Sequence, residues 1–191
     1  MGKLVVTEFI TLDGVIEDPG GAENFERGGW AFQFDQGEEG GKFKFDELRA
    51  SDAQLLGRKT YEGFAKAWPT MEGTGEFGEK MNAMPKFVVS STLTNPEWHN
   101  TTVLGGDLAR EVGELKQRFA GDILVAGSAQ LVRGLLAAGL VDELHLMVFP
   151  TILGRGKRAF PEGVDRLKFR LTESRTVGPD GVLVQIYERT R

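Results

Sequence analysis

ILVAGSAQLVRGLLAAGLVDELHLMVF, residues 123–149, is the segment that decides the fold class. It begins with a short apolar strand over 123–126, passes through the small-residue turn Gly127-Ser128-Ala129, and continues as a helix that leads to a second apolar strand over 142–149. This order of elements predicts a βαβ unit. Because small residues allow a ligand close to the backbone, and the first N–H groups of a helix point outwards, the turn is a candidate phosphate-binding site.

The same pattern of strand, small-residue turn and helix occurs earlier in the chain. A predicted strand over 53–56 runs into Gly57-Arg58-Lys59-Thr60-Tyr61 and a helix that ends at Ala67. A first strand over 3–10 ends at Thr11-Leu12-Asp13-Gly14, where Asp-Gly predicts a turn. The remaining predicted elements before residue 123 are helices over 43–49, 76–83 and 106–119 and a strand over 86–90.

The end of the chain has a different pattern. Residues 169–177 and 182–189 alternate apolar and polar side chains around Gly178-Pro179-Asp180-Gly181, which predicts an antiparallel hairpin. Helical connections between the earlier strands require parallel pairing. We therefore expect an α/β fold with a mixed, mostly parallel central sheet, helices on both faces and a C-terminal antiparallel hairpin.

Size and composition exclude several classes of protein. The chain has 191 residues, 21.0 kDa and no cysteine, so we expect one domain over residues 1–191, without disulfides or thiolate metal sites, in the cytoplasm. No apolar run approaches the ~20 residues that cross a bilayer, and the first residues lack a signal-peptide pattern, so we expect no membrane partner. His99 and a strand residue interpreted as half-exposed, His145, are far apart, which argues against any metal site.

Charge is distributed unevenly along the chain. Residues 1–47 carry 11 of the 28 acidic and 4 of the 23 basic residues, within a net charge of −5. This argues against a nucleic-acid partner and leaves the later part slightly favourable to an anionic cofactor. The acids of 17–47 are interpreted as a solvated face, and the basic segment 155–158 as solvated or as a subunit contact.

Three strand ends carry residues suited to phosphate. In an open α/β sheet, ligands collect beyond the carboxyl ends of the strands. An arginine and two hydroxyls suit a ribose phosphate, and a lysine, a threonine and a glycine turn suit a pyrophosphate. Each motif alone is equally compatible with an ordinary turn, but together they predict a bound nucleotide. The residues are Gly57, Arg58, Lys59 and Thr60; Ser90 and Ser91; and Gly127, Ser128, Ala129 and Gln130.

With these motifs in order, the chain resembles the dihydrofolate reductase superfamily, in the branch of the C-terminal reductase domain of the bifunctional riboflavin-biosynthesis deaminase-reductase. Further motifs that carry the resemblance are Gly139-Leu140-Val141-Asp142-Glu143-Leu144 and Pro150-Thr151-Ile152-Leu153-Gly154-Arg155-Gly156. The resemblance implies a three-layer fold with an eight-stranded sheet, an NADPH cofactor and a homodimer. It also implies a reductase that is similar by fold to 5-amino-6-(5-phosphoribosylamino)uracil reductase.

The resemblance also implies roles for the site residues. Arg58, Ser90 and Ser91 fall where the family holds the 2′-phosphate, and Lys59, Thr60 and residues 127–130 fall on the remaining phosphates. The backbone from Phe9 to Thr11 would face the nicotinamide.

The substrate is less defined than the cofactor. The riboflavin reductases carry a lysine and a glutamate where this chain has Val15 and Ala126, so a sugar-phosphate pyrimidine is not expected. Asp13 is the candidate catalytic and substrate-binding residue, with an ordinary turn residue as the alternative. Trp30 is a candidate aromatic wall for the substrate, or else a core anchor.

We therefore expect an NADPH-dependent reductase that passes a hydride to a small heterocyclic or carbonyl-type acceptor. The alternatives are a nucleotide-binding or sensing module of the same fold without turnover and, more weakly, a purely structural homodimer.

Overall fold

The computed structural model describes residues 1–160 and 165–190. In this part of the chain, eight strands and five α-helices form, together with a short 3-10 turn over Trp30–Gln33. The strands are β1 (Leu4–Thr11), β2 (Ser51–Gly57), β3 (Lys86–Val89), β4 (Thr101–Leu104), β5 (Asp122–Val125), β6 (Glu143–Phe149), β7 (Phe169–Val177) and β8 (Val182–Arg189). The helices are α1 (Gly37–Ala50), α2 (Arg58–Ala67), α3 (Gly75–Ala83), α4 (Leu108–Arg118) and α5 (Ala129–Ala137).

All eight strands belong to one sheet in the order β4-β3-β2-β5-β1-β6-β8-β7. The pairs from β4 to β6 are parallel, whereas β8 pairs antiparallel with β6 and with β7. The predicted α/β fold with a mostly parallel sheet and a C-terminal hairpin is confirmed. The hairpin strands begin and end at the predicted residues; β7 is mostly exposed, and β8 is more buried.

Helices cover both faces of the sheet and so form three layers. Because side chains alternate along a strand, Leu4 and Val6 of β1 face the layer of α4 and α5, whereas Val5 faces the layer of α1 to α3. Both faces of the inner parallel strands are therefore buried, which explains their largely apolar sequences.

Two elements differ from the sequence-based expectations. α1 begins at Gly37, six residues before the predicted start, because the glycine-rich sequence before Phe43 resembles a loop. At Gly40 a Cβ would lie 2.6 Å from Gln36 Cβ, so close packing rather than loop formation explains that glycine. Strand β4 was not predicted because it is four residues long, half exposed and at the sheet edge, and it forms only by pairing with β3.

Within the described ranges, the model contains no helix that is both long and apolar enough to span a bilayer.

Candidate nucleotide-binding and active site

The turn after β2 and the turn after β5 pack directly against each other. The backbone N–H of Gly57 donates to the carbonyl of Gly127 at 3.2 Å. A Cβ on Gly57 would lie 2.2 Å from Ser128 Oγ, and one on Gly127 would lie 3.0 Å from Thr60 Oγ1. Gly127 also has a φ of 93°, which favours glycine. The two glycine turns therefore form one packed corner, with the first residues of α2 and α5 on it.

The third predicted strand end lies beside this corner. Gly57 pairs in register with Val89, the last residue of β3, so Ser90 and Ser91 follow at the same edge of the sheet. Ser90 Oγ accepts the backbone N–H groups of Thr92 and Leu93 at 3.1 and 3.0 Å. The Ser90 hydroxyl thus shapes a turn, while Ser91 is exposed. The structure brings the carboxyl ends of β3, β2 and β5 together as neighbours.

Two cationic side chains stand on the first turn of α2. Arg58 is exposed and forms an ion pair with Glu62 at 2.8 Å. Lys59 is also exposed, and its charge favours the ionised forms of Glu17 and Glu23 in the loop after β1. Arg58 therefore has a carboxylate partner that an anionic ligand would have to displace.

The candidate catalytic residue Asp13 is held by hydrogen bonds. Its carboxylate accepts from Thr11 Oγ1 at 2.6 Å, from the backbone N–H of Gly154 at 2.8 Å and from that of Leu153 at 3.2 Å. Burial alone would raise the pKa of Asp13, but these bonds hold it below its usual value. Asp13 is thus an ionised anchor between two loops. This geometry favours the turn interpretation over proton donation.

Thr11, a predicted cofactor contact, also uses its polar groups in hydrogen bonds within the protein. Its side chain is buried, and Oγ1 donates to Asp13 and accepts the backbone N–H of Val15 at 3.0 Å. The backbone N–H of Thr11 donates to the Val15 carbonyl, also at 3.0 Å. Thr11 therefore closes the loop after β1 through both its side chain and its backbone.

Trp30 lies in the core. It is 2 % exposed, and its ring packs edge-to-face on Phe149 with centroids 5.3 Å apart. Its indole N–H donates to the carbonyl of Glu17 at 2.9 Å. Without an exposed ring face, Trp30 is better explained as the core anchor than as an aromatic wall for a substrate.

The acidic and basic segments are largely exposed, as expected, except for buried Asp18 and Glu47, and several of their side chains pair with each other. Arg155 Nη1 lies 2.7 Å from Glu26 Oε1, and Lys157 pairs with Glu17. Arg158 Nε donates to the carbonyl of Asp13 at 2.8 Å. The loop after β1 is thus held against residues 153–158.

Glu8 is a site residue that the sequence interpretation missed. It lies within the apolar strand β1 and is 9 % exposed. Its Oε1 has no hydrogen-bond partner among the described residues, and it lies 3.9 Å from the position of a Cβ on Gly127. Burial raises the pKa of Glu8 to about 8, opposed by the charge of Lys44. A lone acid in the run VVTEFI was the available signal.

A second buried polar cluster lies on the opposite face of β1. His145 is not half-exposed as expected: its side chain is 12 % exposed, with Nδ1 2.8 Å from Glu47 Oε1 and Nε2 3.1 Å from Glu143 Oε2. Thr7 Oγ1 donates to Glu47 at 2.9 Å. Burial lowers the pKa of His145, but the hydrogen bonds from it to both carboxylates outweigh that effect and raise the pKa to about 9. Because neighbouring strand residues point to opposite faces, this cluster lies away from Glu8.

Comparisons with known proteins agree with this architecture. The Bacillus subtilis (strain 168) protein YyaP is 27 % identical over 189 residues, which cover 97 % of this chain and 94 % of YyaP. The crystal structure of a proposed riboflavin biosynthesis protein from Shewanella sp. PV-4 superimposes with a TM-score of 0.79 at 22 % identity, with all of both chains covered. Dihydrofolate reductase from Enterococcus faecalis, solved with NADP(H), has a TM-score of 0.61 at 17 % identity, with 100 % of this chain and 98 % of that one covered.

At these identities the two structural similarities establish the fold, which resembles that of dihydrofolate reductase. The family described as the RibD C-terminal domain matches residues 2–183, almost the whole chain. The chain therefore belongs to the RibD C-terminal domain family.

Proposed function

We propose that the protein is an NADPH-dependent reductase that transfers a hydride to a small heterocyclic or carbonyl-type acceptor. The observation that carries the proposal is the packed corner of Gly57 and Gly127, with Arg58 and Lys59 beside it. A Cβ at either glycine would collide across the corner, with Ser128 at position 57 and with Thr60 at position 127, so glycine allows the two turns to pack this closely. The donors and cations at this edge fit a phosphorylated dinucleotide.

Each part of the corner has a distinct role in the proposal. The backbone N–H groups at the starts of α2 and α5, with Lys59 and Thr60, would hold the pyrophosphate. Arg58, Ser90 and Ser91 would hold the 2′-phosphate, with the guanidinium leaving Glu62 to do so. The bound cofactor would supply the hydride and its two electrons, and the protein would supply orientation and a dry pocket. The presence of NADP(H) in the similar E. faecalis reductase supports this choice of cofactor.

The acceptor is proposed to lack a sugar phosphate. Val15, at the position where the riboflavin reductases carry a lysine, is fully buried, and its backbone forms an isolated antiparallel β-bridge with Arg158. An apolar residue tied into the core gives a phosphate no cation at that position. A small ring with a reducible C=N bond, or an aldehyde or ketone, needs no such contact.

Titration with NADPH, followed by the change in cofactor fluorescence, tests the proposal. We expect saturable binding in the micromolar range that is typical of cofactors and substrates. Binding should be followed by oxidation of NADPH when a panel of C=N heterocycles, aldehydes and ketones is added. No binding at near-millimolar NADPH would refute the proposal. Binding without oxidation across the panel would replace the reductase with a nucleotide-binding or sensing module of the same fold.

A further inference from the structure

Glu8 occupies a defined position relative to the glycine corner. Val6 pairs with Val125 as the last pair between β1 and β5, and Glu8 follows two residues later on the same face of β1. At this level β5 has ended and its chain has turned at Gly127 towards α5. The Glu8 carboxyl therefore lies beneath the turn that the proposed function assigns to the cofactor.

No hydrogen bond among the described residues gives the Glu8 Oε1 atom a structural role. Oε1 is buried and makes no hydrogen bond to any residue in the ranges 1–160 and 165–190. A buried acceptor without a partner destabilises a fold, and a ligand that bonds to Oε1 would remove that cost. Oε1 lies next to the glycine turn, because a Cβ on Gly127 would lie 3.9 Å from it and 3.0 Å from Thr60 Oγ1.

Charged groups of α1 and of the loop after β1 act on Glu8. Burial is the largest influence and raises its pKa to about 8; Lys44 of α1 lowers the pKa, and Glu23 of the loop after β1 raises it. At neutral pH the side chain is thus mostly a protonated acid, able to donate a hydrogen bond and then a proton.

Other acids of the site are less suited to this task. Asp13 is held ionised by three hydrogen bonds, and Glu47 bonds Thr7 and His145 on the opposite face of β1. Among the described residues considered for the site, Glu8 alone combines burial, a free acceptor atom and contact with the corner.

We propose that Glu8 is the proton donor to the acceptor, an inference that rests on the proposed reductase function. The carbon of a C=N or C=O bond receives the hydride, and the π-electron pair moves to the nitrogen or oxygen. That atom takes the Glu8 proton, so the O–H bond of Glu8 breaks and an N–H or O–H bond forms. Water then returns a proton to the carboxylate. The substrate class is accordingly a compound with a polarised double bond whose heteroatom ends protonated.

The pH dependence of cofactor binding tests the position of Glu8 without any acceptor. The oxidised nicotinamide ring carries a positive charge that the reduced ring lacks, so a nearby carboxylate stabilises the oxidised form. In the unmodified protein we expect the ratio of the Kd for NADPH to the Kd for NADP⁺ to increase on the order of tenfold between pH 6.5 and 9.5. In Glu8→Gln, a neutral substitution of the same shape, the ratio should stay constant. Glu114→Gln, which changes an exposed glutamate of α4, is the matched control and should retain the increase.

Two further measurements separate donation from a structural role. Carbon-13 NMR of labelled glutamate carboxyls should show a Glu8 signal, assigned by its loss in Glu8→Gln, that titrates near pH 8. For any panel compound that is reduced, Glu8→Gln should slow NADPH oxidation by on the order of 100-fold at pH 7 with NADPH affinity unchanged.

NADPH binding with a constant Kd ratio in the unmodified protein would overturn the role of Glu8 while leaving the reductase proposal in place. Full activity of Glu8→Gln would do the same. Failure of NADPH to bind at all would instead refute the proposed function.

Discussion

Removal of the Arg58 guanidinium tests the assignment of the 2′-phosphate. In the structure Arg58 pairs with Glu62 at 2.8 Å, and each side chain is 42 % exposed. Such an exposed pair four residues apart on a helix contributes about 0.3–0.5 kcal/mol. A charge-assisted hydrogen bond to a phosphate contributes about 1.5–3 kcal/mol. The phosphate should therefore displace Glu62 from the guanidinium.

From these magnitudes, Arg58→Ala should raise the Kd for NADPH by roughly 10- to 150-fold. The Kd for NADH should change by less than about twofold, because NADH has no phosphate at this position and the lost ion pair is weak. Glu62→Gln should strengthen NADPH binding by about twofold, since it removes the competing carboxylate.

Fluorescence titrations with NADPH and NADH at one fixed ionic strength measure both effects, because salt screens exposed charges. Arg170→Ala is the matched control: Arg170 is an exposed arginine paired with Glu188 at 2.7 Å on the terminal hairpin, and its loss should alter neither Kd. Equal weakening of NADPH and NADH by Arg58→Ala, or no weakening, would refute the assignment.

Three further outcomes are expected. The raised pKa of His145 contributes about 3 kcal/mol to the free energy of unfolding; this stability is present below pH 6.5 and is lost as the pH rises through 9. Urea unfolding at a series of pH values should show this loss in the unmodified protein and a weaker dependence on pH in His145→Gln. The same dependence on pH in both proteins would contradict the ion pairs of His145 with Glu47 and Glu143. Gly57→Ala should cost about 1–3 kcal/mol and weaken NADPH binding, because its Cβ would overlap Ser128 Oγ; a stable variant with normal binding would show that the corner is not tightly packed. We also propose a homodimer, so light scattering should give twice the 21.0 kDa chain mass, and a 21.0 kDa species would exclude it.

Local sequence patterns were sufficient for the parallel strands other than β4 and for the hairpin. β1 and the hairpin strands follow from apolar runs and from alternation, which depend on a few neighbouring residues. The placement of Gly57, Ser90 and Gly127 at one edge followed from a general property of parallel sheets. β4 could not be predicted, because its four residues become a strand only through pairing with β3.

The polar interior of the site depends on residues far apart in the chain. His145 and Glu47 are 98 residues apart, and Asp13 and Gly154 are 141 apart, so no local pattern indicates either contact. Glu8 is visible as a lone acid in an apolar strand, but its unpaired oxygen and the nearby Gly127 emerge only from the three-dimensional arrangement. For Trp30 the sequence allowed either a pocket wall or a core anchor, and only the three-dimensional structure shows that its ring lies in the core.

A crystal structure of the protein with NADPH is the most direct measurement of the central claim. We expect the pyrophosphate to lie against the Gly57 and Gly127 turns, the 2′-phosphate to contact Arg58, and the nicotinamide to lie beside Glu8. A cofactor bound elsewhere, or side chains that fill the space in front of the two turns, would contradict the account.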